Sequence, residues 1–251
     1  MSTSHPDGLV PVSDDRRRFL RFLGAGTLAV GAAGTLAACD SNDPTFETPT
    51  PGPGPDPEPA NVVFDFSSNL GPLNYAYALE QLEGAFYALV AGLPNFTALF
   101  PDSNEQRLIQ DLAAHEGIHR DFLRAAISFT GEGNLIPDLT PNAEAFDLSS
   151  RDSILRLALT FEDLGVGAYN GAGRYITDDS YLTLAGKIVS VEARHAAAIA
   201  SALSGSSELG GMRADGMDVI DENGLDQALA PSTVIAAANG FVLENLSVTN
   251  A

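Results

Sequence analysis

Two copies of Glu-x-x-His recur in this chain, Glu116-Gly-Ile-His119 and Glu192-Ala-Arg-His195. Each is preceded by a lone glutamate with a tyrosine seven residues on, Glu80 with Tyr87 and Glu162 with Tyr169. A half-site is thus written twice. Residues i and i+3 share one helix face, about 4.5 Å apart along the axis, so both can reach one metal. A lone glutamate on a neighbouring helix can then bridge or cap the pair. Four carboxylates and two imidazoles delivered this way are the ligand set of a dinuclear metal centre inside a four-helix bundle. A bundle core does not otherwise tolerate so many ionisable groups.

Four amphipathic segments account for most of residues 69–204. The first is Leu70–Ala91, stopped near Gly92 and Pro94. The second starts after Pro101, with Ser103 as its cap, and runs to about Thr130. The third opens after Ser149 and Ser150 and ends near Tyr175, and the fourth follows Asp178 and Asp179 and ends at Gly205. Their seams step by three and four, as in Ile109, Leu112, Glu116, His119, Leu123, Ala126. In every seam the glutamates and histidines hold positions that should be apolar and inward.

Unpaired in a core, four carboxylates would repel and raise one another's pKa values, whereas two divalent cations cancel their charges. The competing reading is a set of solvated i,i+3 contacts. Against it, the chain beyond residue 38 has three histidines, and two fall in identical motifs on inward seams. His115 lies about 100° round the helix from Glu116, which places it at the surface or just outside the ligands. Glu83 shares the inward face with Glu80. The internal repeat selects Glu80 and leaves Glu83 as an alternative ligand or a supporting carboxylate. Tyr87 and Tyr169 suit hydrogen bonds to a ligand, redox chemistry, or a core role with a satisfied hydroxyl.

The N-terminal region reads as an export signal. Asp15-Arg16-Arg17-Arg18-Phe19-Leu20-Arg21 matches the twin-arginine pattern, with Arg16 and Arg17 as the pair. A weakly apolar stretch from Phe22 to Leu36 follows, too short for a spanning helix. It ends in Leu36-Ala37-Ala38-Cys39, which resembles a lipoprotein cleavage box around the only cysteine. Residues 1–38 are therefore expected to be a signal peptide and Cys39 a lipidated anchor to a membrane. Two acyl chains suffice for stable anchoring. Asp40 after the cysteine points to the periplasmic face of an inner membrane. Residues 39–60 carry seven prolines among Asp, Glu, Thr and Gly and read as a polyproline-type tether.

Residues 1–38 hold four arginines against Asp7, Asp14 and Asp15, a net of +1, so the chain from Cys39 carries −20 − 1 = −21. Such acidity argues against nucleic acid or anionic lipid as partner.

Helices two and three are joined by residues 131–150, with Pro137 and Pro141. An up-down-up-down bundle needs no such length, whereas a bundle whose second and third helices run parallel does. With these features, the chain resembles the ferritin-like superfamily, and within it the exported ferritin-like-domain proteins related to desiccation-associated proteins. The resemblance rests on Leu79-Glu80-Gln81-Leu82-Glu83-Gly84-Ala85-Phe86-Tyr87, His115-Glu116-Gly117-Ile118-His119, Phe161-Glu162-Asp163-Leu164-Gly165-Val166-Gly167-Ala168-Tyr169 and Val191-Glu192-Ala193-Arg194-His195. It implies an all-α, ferritin-like four-helix bundle over 61–205. It also implies that Glu80, Glu116, His119, Glu162, Glu192 and His195 bind two Fe or Mn ions.

The chemistry to expect is redox reaction with O2, peroxide or Fe2+, and the alternative is a non-catalytic envelope protein for stress or desiccation with a structural or absent metal. No cysteine pair is present for a rubredoxin-type iron site. A lipid tether and a long tail argue against closed-shell assembly. The extension 206–251 has a turn signal at Asp221-Glu222-Asn223-Gly224, then Leu225–Leu229 and Pro231–Ala238 as short helical pieces. It is expected to pack over the bundle end.

Overall fold

The computed structural model describes residues 59–204 and 219–251. Arg16, Arg17, Cys39, most of the proline-rich tether and Gly205 lie outside the described residues. The elements are β1 (Asn61–Asp65), α1 (Leu70–Ala91), α2 (Phe96–Leu99), α3 (Ser103–Thr130), α4 (Arg151–Ala172), α5 (Asp179–Ser204), α6 (Pro231–Ala238) and β2 (Asn245–Thr249).

Side chains fix where the bundle helices start. Asp102, not Ser103, caps α3. Its backbone is extended, and its carboxylate accepts from the Asn104 N–H at 2.7 Å, leaving Ser103 as the first helical residue. Ser150 and Ser153 cap α4 reciprocally, each hydroxyl accepting from the other's backbone N–H at 3.1 Å. Asp178 accepts from the N–H groups of Ser180 and Tyr181 at the start of α5.

Contacts across the core give the helix directions. Glu80 of α1 approaches His119 of α3, and Gly84 approaches Glu116, so these two run antiparallel. Tyr87 of α1 meets Glu162 of α4 and Glu80 meets Tyr169, so α1 and α4 are antiparallel too. Hence α3 and α4 run parallel, and Arg151 at the start of α4 pairs with Glu105 near the start of α3. The bundle with a long crossover expected from the sequence is the one observed.

That crossover runs alongside α1. Asn74 donates to the Asn134 carbonyl at 2.8 Å and accepts from the Ile136 N–H at 3.0 Å, and Gln81 accepts from the Leu139 N–H at 2.8 Å. Phe146 then packs edge-on against Phe86. Covered on its outer face, α1 buries 17 of its 22 residues, including the polar Asn74 and Gln81. Their amides satisfy backbone groups that an irregular segment cannot pair by itself.

Two features lie outside the all-helical reading. Strands β1 and β2 pair in parallel, Asn61 opposite Asn245 and Asp65 opposite Thr249. Their inward residues Val62, Phe64 and Leu246 join the main core, and Phe64 and Phe66 stack edge-on with Tyr75. The alternation Val62, Phe64, Phe66 is a period-two signal that helical periodicity elsewhere overshadows. Second, Leu225–Leu229 is not helical. Ile220 bridges Asp226, and the Leu229 N–H donates to the Gly167 carbonyl at 2.9 Å. Glycine at 167 and 171 lets this backbone lie directly on α4, because a Cβ on Gly171 would fall 1.7 Å from the Leu229 oxygen. The stretch at Leu229 thus packs along α4, and Pro231–Ala238 is helical as expected.

Candidate metal centre

All six ligand candidates converge at mid-bundle. Glu80 comes from α1, Glu116 and His119 from α3, Glu162 from α4, and Glu192 and His195 from α5. The four glutamates have no solvent exposure, and His195 is 6 % exposed. Two overlapping groups result, Glu80–Glu116–His119–Glu192 and Glu116–Glu162–Glu192–His195, with the donor atoms of each within 4.8 Å of one another. Glu116 and Glu192 belong to both groups. The carboxylates of the Glu-x-x-His motifs are therefore shared by both groups, and each lone glutamate belongs to one.

Each imidazole points Nδ1 inward. His119 Nδ1 lies 2.9 Å from Glu192, 3.1 Å from Glu116 and 3.4 Å from Glu80. His195 Nδ1 lies 2.8 Å from Glu116, 3.3 Å from Glu162 and 3.4 Å from Glu192. Most of these approaches lack hydrogen-bond geometry. Among the described residues, Glu80 Oε2, Glu116 Oε1, Glu162 Oε2, both Glu192 oxygens and His195 Nδ1 are buried with no hydrogen-bond partner. Leaving a buried polar group unsatisfied costs about 1–3 kcal/mol, more when it is charged. Six such atoms facing one another fit a metal cation held among them, and the donors are oxygen and nitrogen.

The tyrosines complete the arrangement crosswise. Tyr169 donates to Glu80 Oε1 and Tyr87 to Glu162 Oε1, each at 2.5 Å. Each lone glutamate thus has one oxygen fixed by the tyrosine of the other half, while its Oε2 faces the centre. Burial first, and then the neighbouring carboxylate, raises both phenols well above their ordinary range, so they stay protonated donors.

With protein charges alone, the titration behaviour is split. Burial, reinforced by Glu192, pushes Glu80 up to about 8 against the opposing attraction of His119. Burial likewise raises Glu162 well above the carboxylate range. For Glu116 burial opposes ionisation, but the two histidines together outweigh it and hold the group at about 2. Glu192 is lowered by the same pair against its own burial. Burial disfavours the charged imidazoles, yet the surrounding carboxylates push His119 to about 12 and His195 to about 11.

Glu83 is buried but belongs to neither donor group. The repeat that sets Glu80 against Glu162 sets Glu83 against Gly165. A Cβ on Gly165 would lie 3.1 Å from Glu83 Oε1, so this carboxylate occupies room the glycine leaves. Burial first, then the four ligand glutamates, keeps it well above the carboxylate range. His115 is exposed, as expected from its angle, yet its Nδ1 lies 2.9 Å from His195 Nε2. Only the contact between α3 and α5 could reveal that pairing. A mouth of about 370 Å³ between these helices is lined by His115, Ile118, His119, Val191, Arg194 and His195.

The profile of the ferritin-like domain family matches residues 68–205, more than half of the chain. The chain belongs to the ferritin-like domain family. No curated protein matches it. The matched ferritin-like region begins just before α1 and ends just after α5, so it contains all six candidate ligands.

Proposed function

We propose that this ferritin-like protein holds two Fe or Mn ions in a dinuclear centre that exchanges electrons with O2, peroxide or Fe2+. The observation that carries the reading is the set of six buried, unpartnered donor atoms turned toward one another at mid-bundle. Two such cations would supply Lewis acidity and a source or sink of electrons next to a bound oxygen species. The chain's own residues do the rest. Glu116 and Glu192 would serve both positions, and Glu80 and Glu162 one each. Tyr169 and Tyr87 hold the capping carboxylates, and burial excludes water from all but the histidine side, where the mouth leaves small molecules a path.

We further propose that the protein is exported through Arg16 and Arg17 and anchored by lipid on Cys39, with the domain on the periplasmic face of the inner membrane. Among the described residues, no helix is long and apolar enough to cross a membrane. Elemental analysis of protein purified without chelators, paired with turnover of Fe2+/O2 and of H2O2, tests the central reading. About two ions per chain are expected, with turnover lost in Glu80→Ala/Glu162→Ala. Protein that stays metal-free on reconstitution would refute it. Two ions with no turnover would favour the non-catalytic envelope role in stress or desiccation.

A further inference from the structure

We propose that His115 is a positioning residue for the His195 ligand and that it makes the two metal positions inequivalent, the His195 position binding more tightly. The inference rests on the dinuclear reading above and adds a residue and an order of affinity to it.

The argument starts from the two nitrogens of His195. Nδ1 faces Glu116, Glu162 and Glu192, which leaves Nε2 for an outward partner. That partner is His115 Nδ1, 2.9 Å away, with the two rings 22° from parallel. A neutral imidazole that gives its Nδ1 lone pair to a cation carries its proton on Nε2. The Nε2–H of His195 then donates to Nδ1 of His115, so the tautomer the cation needs is the one this contact selects. A partner of this kind fixes the ring's orientation and raises its basicity as a ligand.

Among the described residues, His119 lacks the equivalent support. The repeat that sets Glu116 against Glu192, and His119 against His195, sets His115 against Val191. Val191 lines the same mouth and offers no hydrogen-bonding side-chain atom. His119 is also the more accessible of the pair, its side chain 12 % exposed against 7 % for His195. The donor sets are matched in kind, one imidazole and three carboxylates on each side. The difference therefore enters behind the imidazoles.

The test is titration of metal-free protein with Co2+, followed by calorimetry and by visible absorption. Two resolved binding steps are expected for the unmodified chain. His115→Val, which copies the other half, should weaken the tighter step about 10- to 100-fold and leave the weaker one unchanged, so the steps merge. His115→Asn should keep them apart, because its Oδ1 can accept the same bond. Equal steps in the unmodified chain, or a His115→Val variant that binds two ions with both constants unchanged or both weakened alike, would overturn this inference alone. So would an Asn variant no better than Val. Failure of the unmodified chain to bind Co2+ would instead remove the dinuclear reading, and this proposal with it.

Discussion

Loading the centre with two divalent cations should expel about four protons at pH 7. Without a cation among them, His119 and His195 are both charged at this pH, pushed to about 12 and about 11. Glu116 and Glu192 are ionised, while Glu80, near 8, and Glu162, raised well above its ordinary range, hold protons. The six groups then sum to zero charge. Binding two cations requires both histidines neutral and all four carboxylates ionised, which also sums to zero, so two protons leave the imidazoles and two leave the carboxyls. By linkage the overall binding constant should rise about 10⁴-fold per pH unit, roughly 100-fold or 2.7 kcal/mol per ion. Calorimetry in buffers of different ionisation enthalpy, or titration in a pH-stat, counts the protons directly. Release of none or one would show that the carboxylates and imidazoles are not paired as described.

The same groups set the sign of the stability change. In chelated protein the raised histidines stabilise fully below about 6.5, and that contribution is lost as pH climbs toward 11–12. Glu80, raised to about 8, likewise costs stability progressively between about 4.5 and 8. The melting temperature of chelated protein should therefore fall from pH 6.5 to 8. Metal binding strengthens over that interval, so the gap between loaded and chelated protein should widen with pH and shrink in mild acid.

Four further outcomes are expected. Glu80→Ala should lose about one ion per chain by elemental analysis, whereas Glu83→Ala, outside both donor groups, should keep both; a larger loss from Glu83→Ala would reverse their roles. Tyr169→Phe and Tyr87→Phe should each weaken metal binding at least tenfold, because each frees a capping carboxylate, and unchanged titrations would remove the tyrosines from the site. Gly171→Ala should cost about 1–3 kcal/mol in thermal unfolding by forcing Leu229 off α4, and an unchanged melt would mean that the tail docks elsewhere. Cys39→Ala should abolish lipid labelling and Lys at both Arg16 and Arg17 should block export; persistent labelling or export would exclude those assignments.

The bundle and the convergence of the six donors were legible because a fixed helical repeat carries them. Ionisable side chains on apolar seams at steps of three and four leave few alternatives, and the length of the 131–150 link gives the helix directions. What periodicity does not encode is contact between segments. The repeat marks Tyr87 and Tyr169, but only packing shows that each serves the glutamate of the other half. Asn74 and Gln81 look like polar interruptions of α1 until the crossover lies beside them. His115 reads as a surface residue from its angle on α3, and its bond to His195 depends on how closely α5 approaches. The β1–β2 pair joins segments of five residues from opposite ends of the domain, too short and too distant for pattern alone to match.

That last pairing bears on how the chain comes into being. Val62 opposes Leu246, 184 positions further along the sequence, so the sheet cannot close until β2 has been synthesised. The helices can form from local contacts while the ribosome is still working, but Val62 and Phe64 then wait with an open edge and apolar faces to cover. Completion of the sheet thus waits for the synthesis of Asn245–Thr249. Until β2 is made, β1 keeps an unpaired edge, the feature that leaves a partly folded chain open to aggregation.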